Sequence, residues 1–263
     1  MIDRSALQDP IIKIIWHTFR QLLTREGVII WSILLLLIVW GPKGVPLFTP
    51  WFQSWIDADP LQSGFRLQLL SFIAGTFLLV LVPLLVIRFI FKEHVRDFGL
   101  SLGDMALGAR LVMLALLLGL PLFYLASLQP AMWQEYPMLY RGLTVQEILA
   151  RFSWPQFVVY QLVYLLFFIV IEFSFRGFML FGLSAKFGTY TVLFQMLPYI
   201  IWHLPKPVPE LLGTPIWGFA TGAVGLRARS IWYTVLVHWL LNVWLDTLIL
   251  IHRGVITVSG FVG

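Results

Sequence analysis

Long apolar blocks, separated by short polar breaks, leave this chain few ways to fold. We read seven of them as membrane spans, at roughly 28–40, 67–91, 106–128, 156–187, 190–204, 211–226 and 231–251. A bilayer core offers no water to unpaired backbone groups, so a spanning segment must be a helix or part of a closed barrel. A helix needs about 20 apolar residues to cross; by that measure three of these blocks are short and one, 156–187, is long. Composition agrees: 59% of the 263 residues are hydrophobic and 12% are charged, where a soluble domain carries about a quarter. The expected fold is an all-α polytopic bundle of about seven transmembrane helices, a single membrane domain over 1–263 with no internal repeat.

Other classes fall away on the same grounds. The chain has no cysteine, which excludes disulfides, thiolate catalysis and cysteine-based zinc sites. Its net charge of +5 is not gathered into a basic stripe, so nucleic acid is not an expected partner. The basic residues sit at block ends. With the N-terminus inside, the inner segments hold Arg4, Lys13, Arg20, Arg25, Arg88, Lys92, Arg96, Arg110, Lys186, Arg227 and Arg229. The outer segments hold Lys43, Arg141, Arg151, Lys206 and Arg253. That bias predicts a multi-pass protein of the cell membrane with a cytoplasmic N-terminus and the C-terminus outside. Residues 1–27 read as a cytoplasmic lead-in, either solvated or lying on the membrane as an amphipathic helix with Ile11, Ile14, Ile15 and Phe19 on one side. The outer loops Gly41 to Gly64 and Gln129 to Pro155 read as interfacial caps.

Ionisable residues inside spans are costly and therefore point to function. Glu172 and Arg176 lie four apart, on one helix face, where they can pair. His238, Asn242 and Asp246 repeat at the same interval and form a polar ridge. His203 closes the fifth span. If the fourth and fifth spans form a hairpin at about Gly188, Glu172 and His203 both lie about 22–24 Å from the turn at ~1.5 Å per residue. The seventh span brings His238 and Asn242 in from the same side, about 12–18 Å deep by the same rise. Residues 155–250 then form a four-helix core around one polar place.

The residue types define the chemistry. A carboxylate and an imidazole can hold and deprotonate a water and pass its proton to a leaving amine. A second imidazole and a carboxamide can donate to a developing oxyanion. On this reading Glu172 is the general base, His203 shares the water, His238 and Asn242 stabilise the oxyanion, and Arg176 orients Glu172. Glu210, after three prolines beyond His203, and Asp246 are possible auxiliary carboxylates.

The same residues carry a family likeness. The run Glu172-Phe-Ser-Phe-Arg176-Gly177 resembles the first motif of the CAAX-protease and bacteriocin-processing (CPBP or Abi) family of intramembrane glutamic endopeptidases. Tyr199-x-x-x-His203 and His238-x-x-x-Asn242 are similar to its second and third motifs, in matching order. The resemblance implies a membrane-embedded endopeptidase that acts on membrane-associated peptides or proteins through an activated water, with no cofactor and no metal. No His-Glu-x-x-His helix is present to suggest otherwise. One position departs from the pattern: the first of the family's two glutamates, usually assigned the water, is Ile171 here.

Two other readings compete. The departure at Ile171 suits a catalytically inactive relative that binds membrane peptides as an immunity or scaffold protein. The buried charges also suit a small proton-coupled transporter, although the chain shows no inverted repeat. The polar residues have structural readings as well. Glu172 with Arg176 can hold helices in register, and His238 with Asn242 can clamp two helices. Substrate, cleavage site, lipid recognition and oligomeric state are not legible in the sequence.

Overall fold

The computed structural model describes residues 10–40, 47–58 and 63–257. Among these, helix follows helix and no strand forms. Helix α1 (Pro10–Leu22) turns by 84° into α2 (Arg25–Trp40). A long helix, α3 (63–91), includes two stretches of wider π-type turns, and α4 is Met105–Ser127. Next come α5 (154–187), α6 (Thr191–His203), α7 (Val208–Ala228) and α8 (Trp232–His252). The architecture is a helical membrane bundle, as its apolar blocks require.

The expected number of spans is not reproduced. Four stretches are long and apolar enough to cross a membrane: Leu69–Phe91, Met105–Ser127, Trp154–His203 and Trp232–His252. The bent pair α1–α2 would make a fifth. The 50-residue stretch Trp154–His203 contains two of the expected spans, because the chain folds back within it. Gly188 takes a positive φ of 55° and ends α5. Beyond it Phe194 packs tilted against Phe187 and Tyr199 meets Phe175 edge to face, with ring centroids 4.6 and 5.4 Å apart. Helix α2 has only 16 residues, and α7 is diluted by glycine, threonine and proline.

The lead-in falls partly outside the described residues, which begin at Pro10. On α1, Ile11, Ile14, Ile15 and Phe19 are all exposed. Of the first outer loop, residues 41–46 and 59–62 also lie outside the described residues. The second outer loop folds into helical turns at Pro130–Glu135, Met138–Tyr140 and Val145–Arg151. The last of these starts from a reciprocal Thr144–Glu147 cap, which satisfies two otherwise unpaired donors.

The charges expected on opposite sides of the membrane gather at opposite ends of the bundle. At one end Arg25 pairs with Glu93 and donates to the Gly182 carbonyl at 3.1 Å, while Lys186 meets Glu26 at 3.4 Å. At the other end Arg141 pairs with Glu135, Lys206 reaches the same carboxylate at 2.9 Å, and Arg253 donates to the Leu143 carbonyl at 2.8 Å.

Packing sets the helix order. Ile29 and Ile33 of α2, Leu79 and Ile87 of α3, and Phe173, Phe175 and Phe178 of α5 form the main apolar core. Helix α4 lies along α8, where Gly108 faces the Tyr233 ring and Gly119 faces Leu241. Helix α7 lies along α6, and two of its glycines allow this. A Cβ on Gly222 would sit 2.6 Å from Gln195 Nε2, and one on Gly218 would sit 3.1 Å from Met196 Cγ. Small residues that let backbones approach are a common way for membrane helices to associate. Gly225, further along the same helix, leaves only ordinary contact distances.

Gly222→Leu should therefore displace Gln195, which donates to the carbonyls of Val192 and Gly218. We expect a loss of about 1–3 kcal/mol for such overpacking, measured as thermal unfolding of the detergent-solubilised protein. Gly213→Leu, on the same helix with nothing within 4 Å, should change little.

Candidate active site

The site begins with a polar face on α5. Glu172 ends its regular part, and Phe173–Phe181 continues in wider π-type turns, a geometry frequent at functional sites. Glu172 and Arg176 still share a face, with Nε 3.4 Å from Oε2 and both side chains fully buried. Arg176 donates twice to Thr221 Oγ1 on α7, from Nε at 3.1 Å and Nη2 at 2.6 Å. Thr221 passes its own hydrogen to the Trp217 carbonyl. The guanidinium also lies 4.2 Å from the Tyr199 ring centroid on α6, a cation–π contact that strengthens when desolvated. Gly177 allows this face to form, because a Cβ there would lie 2.9 Å from the Phe98 carbonyl.

The other oxygen of Glu172 meets α8. His238 Nδ1 lies 2.9 Å from Oε1. A carboxylate only accepts, so Nδ1 carries the hydrogen and Nε2 is the ring's free nitrogen. His238 also packs between Phe168 and Trp217, with ring centroids 4.2 and 5.4 Å away. One turn on, Asn242 Nδ2 donates to Asp246 Oδ2 at 3.1 Å, and Gln161 Nε2 of α5 donates to the same oxygen at 2.8 Å.

His203 ends α6 and is oriented differently. Its Nδ1 lies 2.7 Å from the Tyr199 carbonyl oxygen, so the hydrogen again sits on Nδ1. Its Nε2 faces Glu210 Oε1 at 3.8 Å. Glu210 accepts from the Tyr136 hydroxyl at 2.9 Å and has Lys206 Nζ at 3.7 Å. Tyr136 belongs to the second outer loop, which reaches down over this end of the bundle. Burial, then the neighbouring Glu210 carboxylate, pushes its phenol well above the ordinary value, so it stays a donor.

Two cavities, of about 230 and 530 Å³, flank these groups. The first lies between α3 and α5, with Phe72, Phe167 and Ile171 in its wall. The second lies between α4 and α7, with Leu125, Leu212 and Ile216 in its wall. Tyr136, His203, Glu210, His238 and Asn242 line both. The polar centre is therefore the junction of two largely apolar cavities.

Not every expected residue stands where its role required. His203, His238 and Asn242 converge at the junction as their spacing suggested. Glu172 does not line either cavity; it lies behind His238, with Oε1 on His238 and Oε2 facing Arg176 Nε at 3.4 Å without a hydrogen-bond donor among the described residues. Expected as the general base, Glu172 is placed here against His238 and away from His203. Asp246 likewise sits behind Asn242, fully buried, while Glu210 moves to the front. Sequence reasoning missed Gln161, Thr221, Tyr136, Lys206 and Glu135. Gln161 alone left a signal: it lies 11 residues before Glu172, three helical turns, and so on the same face.

The fold and site together are an all-helical membrane bundle with buried His and Glu side chains around a cavity junction. Comparison with known families gives a direct finding: residues 152–244 match the family described as Type II CAAX prenyl endopeptidase Rce1-like. The resemblance drawn from the three motifs holds over this stretch, and the match is to a family of membrane proteases. It covers Glu172, Arg176, His203, Glu210, His238 and Asn242, and stops short of Asp246. No curated protein and no solved structure matches the chain.

The Glu172–Arg176 pair yields a prediction. Breaking a buried pair by removing one partner costs about 3–5 kcal/mol, because the other charge is left uncompensated. Arg176→Met should therefore destabilise strongly. The double variant with Glu172→Gln should be less destabilised than the sum of the singles, a double-mutant cycle read by thermal unfolding.

Proposed function

We propose that the chain is an intramembrane endopeptidase that hydrolyses peptide bonds of membrane-associated substrates with a water activated by Glu and His. The observation that carries this is the convergence of His203, His238, Asn242 and Glu210 from α6, α7 and α8 at the junction of the two cavities. His203 presents a free Nε2 that accepts a hydrogen bond from the attacking water. His238, held by Glu172, turns Nε2 to the cavity, where with a proton it donates to the oxyanion. Asn242 donates beside it, fixed by Asp246 and Gln161. Arg176 keeps Glu172 in place and ionised. Donors preset where charge develops lower the barrier most in a site closed to bulk water.

The chain crosses the cell membrane with the Arg25 end inside and the Lys206 end outside. Its N-terminus is then cytoplasmic, and the site opens toward the outer half of the bilayer. The transporter reading finds no support in the arrangement, since the ionisable groups form one cluster rather than a chain across the bundle. The inactive-relative reading is supported by Ile171, which is buried where the resemblance expects a carboxylate.

The test is a comparison of membrane-protein N- and C-termini by mass spectrometry in cells expressing the wild type, Glu172→Gln or His203→Ala. Peptide ends specific to the wild type should fall about 100-fold or more in His203→Ala, the usual scale for losing an acid–base group. Glu172→Gln should lower them too. Identical ends from all three folded proteins would remove the catalytic reading and leave the peptide-binding relative.

A further inference from the structure

We infer that Glu210 is the carboxylate that holds and deprotonates the attacking water, in the place left by Ile171. This rests on the endopeptidase reading above and names the residue that reading leaves open.

The argument is one of hydrogen-bond capacity. His203 spends its single hydrogen on the Tyr199 carbonyl, so the neutral ring offers a lone pair at Nε2. Burial raises the Glu210 carboxyl above the ordinary carboxylate value while Lys206 opposes it; in its ionised form it has only lone pairs to offer. The two face each other at 3.8 Å, too far for a direct hydrogen bond and without a hydrogen to share. A group that serves both must bring two hydrogens, and water does. Glu210 Oε2 strengthens the point: it is buried, and no donor among the described residues reaches it. Buried polar atoms left in this condition call for an explanation.

The local chain holds Glu210 in place. Pro205, Pro207 and Pro209 restrict the backbone on both sides of Lys206 and Val208. The Lys206 amide donates to the His203 carbonyl at 2.9 Å, and the Leu211 amide to the Pro207 carbonyl at 2.9 Å. Glu210 thus sits in the first turn of α7, where the helix dipole favours a negative side chain. Tyr136 and Lys206 steady Oε1 from the loop side, and Oε2 stays unclaimed. Glu172 Oε2 also lacks a hydrogen-bond donor among the described residues, but it faces Arg176 Nε at 3.4 Å and its residue lines neither cavity. Ile171 does line the first cavity, together with His203 and Glu210. A side chain at position 171 therefore reaches the same space.

The step balances without a co-reactant. The water oxygen bonds to the scissile carbonyl carbon as one of its protons passes to Glu210. The carbonyl π pair becomes an oxyanion facing His238 and Asn242. When the pair returns, the carbon–nitrogen bond breaks and Glu210 gives its proton to the leaving amine.

The experiment uses the whole chain in membranes and the wild-type-specific peptide ends as readout, with Glu210→Gln and the double variant Ile171→Glu/Glu210→Gln. Thermal unfolding in detergent checks that each is folded. Glu210→Gln should lose the ends about 100-fold or more. The double variant should regain at least about tenfold over Glu210→Gln, by returning a carboxylate to the same space from α5. If Glu210→Gln cleaves like the wild type, or if the folded double variant recovers nothing, Glu210 is only a structural partner of Tyr136 and Lys206. In that case wild-type ends still appear and the endopeptidase reading stands. If the wild type makes no specific ends, both fall together.

Discussion

The ion pair of Glu172 and Arg176 is the constraint on which the core depends. Two charges with no exposure have lost their hydration, and their attraction alone does not offset that loss unless remaining donors and acceptors are also served. The side chains that serve them come from three other helices: Thr221 on α7, the Tyr199 ring on α6 and His238 on α8. Each contact fixes a depth and a rotation, so one charged pair registers four helices. Apolar packing cannot do this by itself in a bilayer, where lipid tails compete with any aliphatic face. The wide turns that follow Glu172 belong to the same arrangement. They begin where the charged face begins and carry Ser174, whose hydroxyl donates to the Leu79 carbonyl of α3.

This wiring separates groups that orient from groups that face the cavities. Glu172 lies behind His238, Asp246 and Gln161 behind Asn242, and the Tyr199 carbonyl behind His203. In every case the rear partner takes one side of a side chain and leaves the other side toward the junction. An imidazole or carboxamide held this way keeps its geometry without help from a substrate, which is the property a preset donor array needs. Glu210 is the exception, because its steadying partners come from a surface loop and from the connection between α6 and α7. It is the one carboxylate of the cluster whose position depends on how the second outer loop is seated.

Much of this was legible in the sequence, for a specific reason. Contacts within one helix follow from spacing, so Glu172 with Arg176 and Asn242 with Asp246 could be read from intervals of four. The hairpin was legible because Gly188 separates two apolar runs, and its two arms then set Glu172 and His203 at comparable depth. Depth, however, does not give rotation. Both histidines stood at the right level, and which carboxylate each one faced depended on helix rotation about an axis that no interval records. Glu172 accordingly faces His238, and His203 faces Glu210. Tyr136, Glu135 and Lys206 were illegible for another reason: the first two sit in a long loop and the third in the short connection between α6 and α7, where hydrophobic periodicity carries no information. The count of seven is not confirmed at α2 and α7, because α2 has only 16 residues and α7 is interrupted by glycine, threonine and proline.

The junction of two cavities also bears on what a peptide must do to be cut. In the hydrocarbon region a substrate helix satisfies its own backbone groups, and releasing one costs several kcal/mol. The bond to be hydrolysed has to leave that helix, so it gains only where other partners replace the lost hydrogen bonds. The walls of both cavities are mostly aliphatic and aromatic, and they can receive side chains but not backbone groups. Donors and acceptors are concentrated where the cavities meet. On the endopeptidase reading, a segment lying across both cavities is therefore unwound at one place, and that place holds the water between His203 and Glu210 and the donors of His238 and Asn242. Selection of the bond then follows from where the polar groups stop, before any recognition of particular side chains.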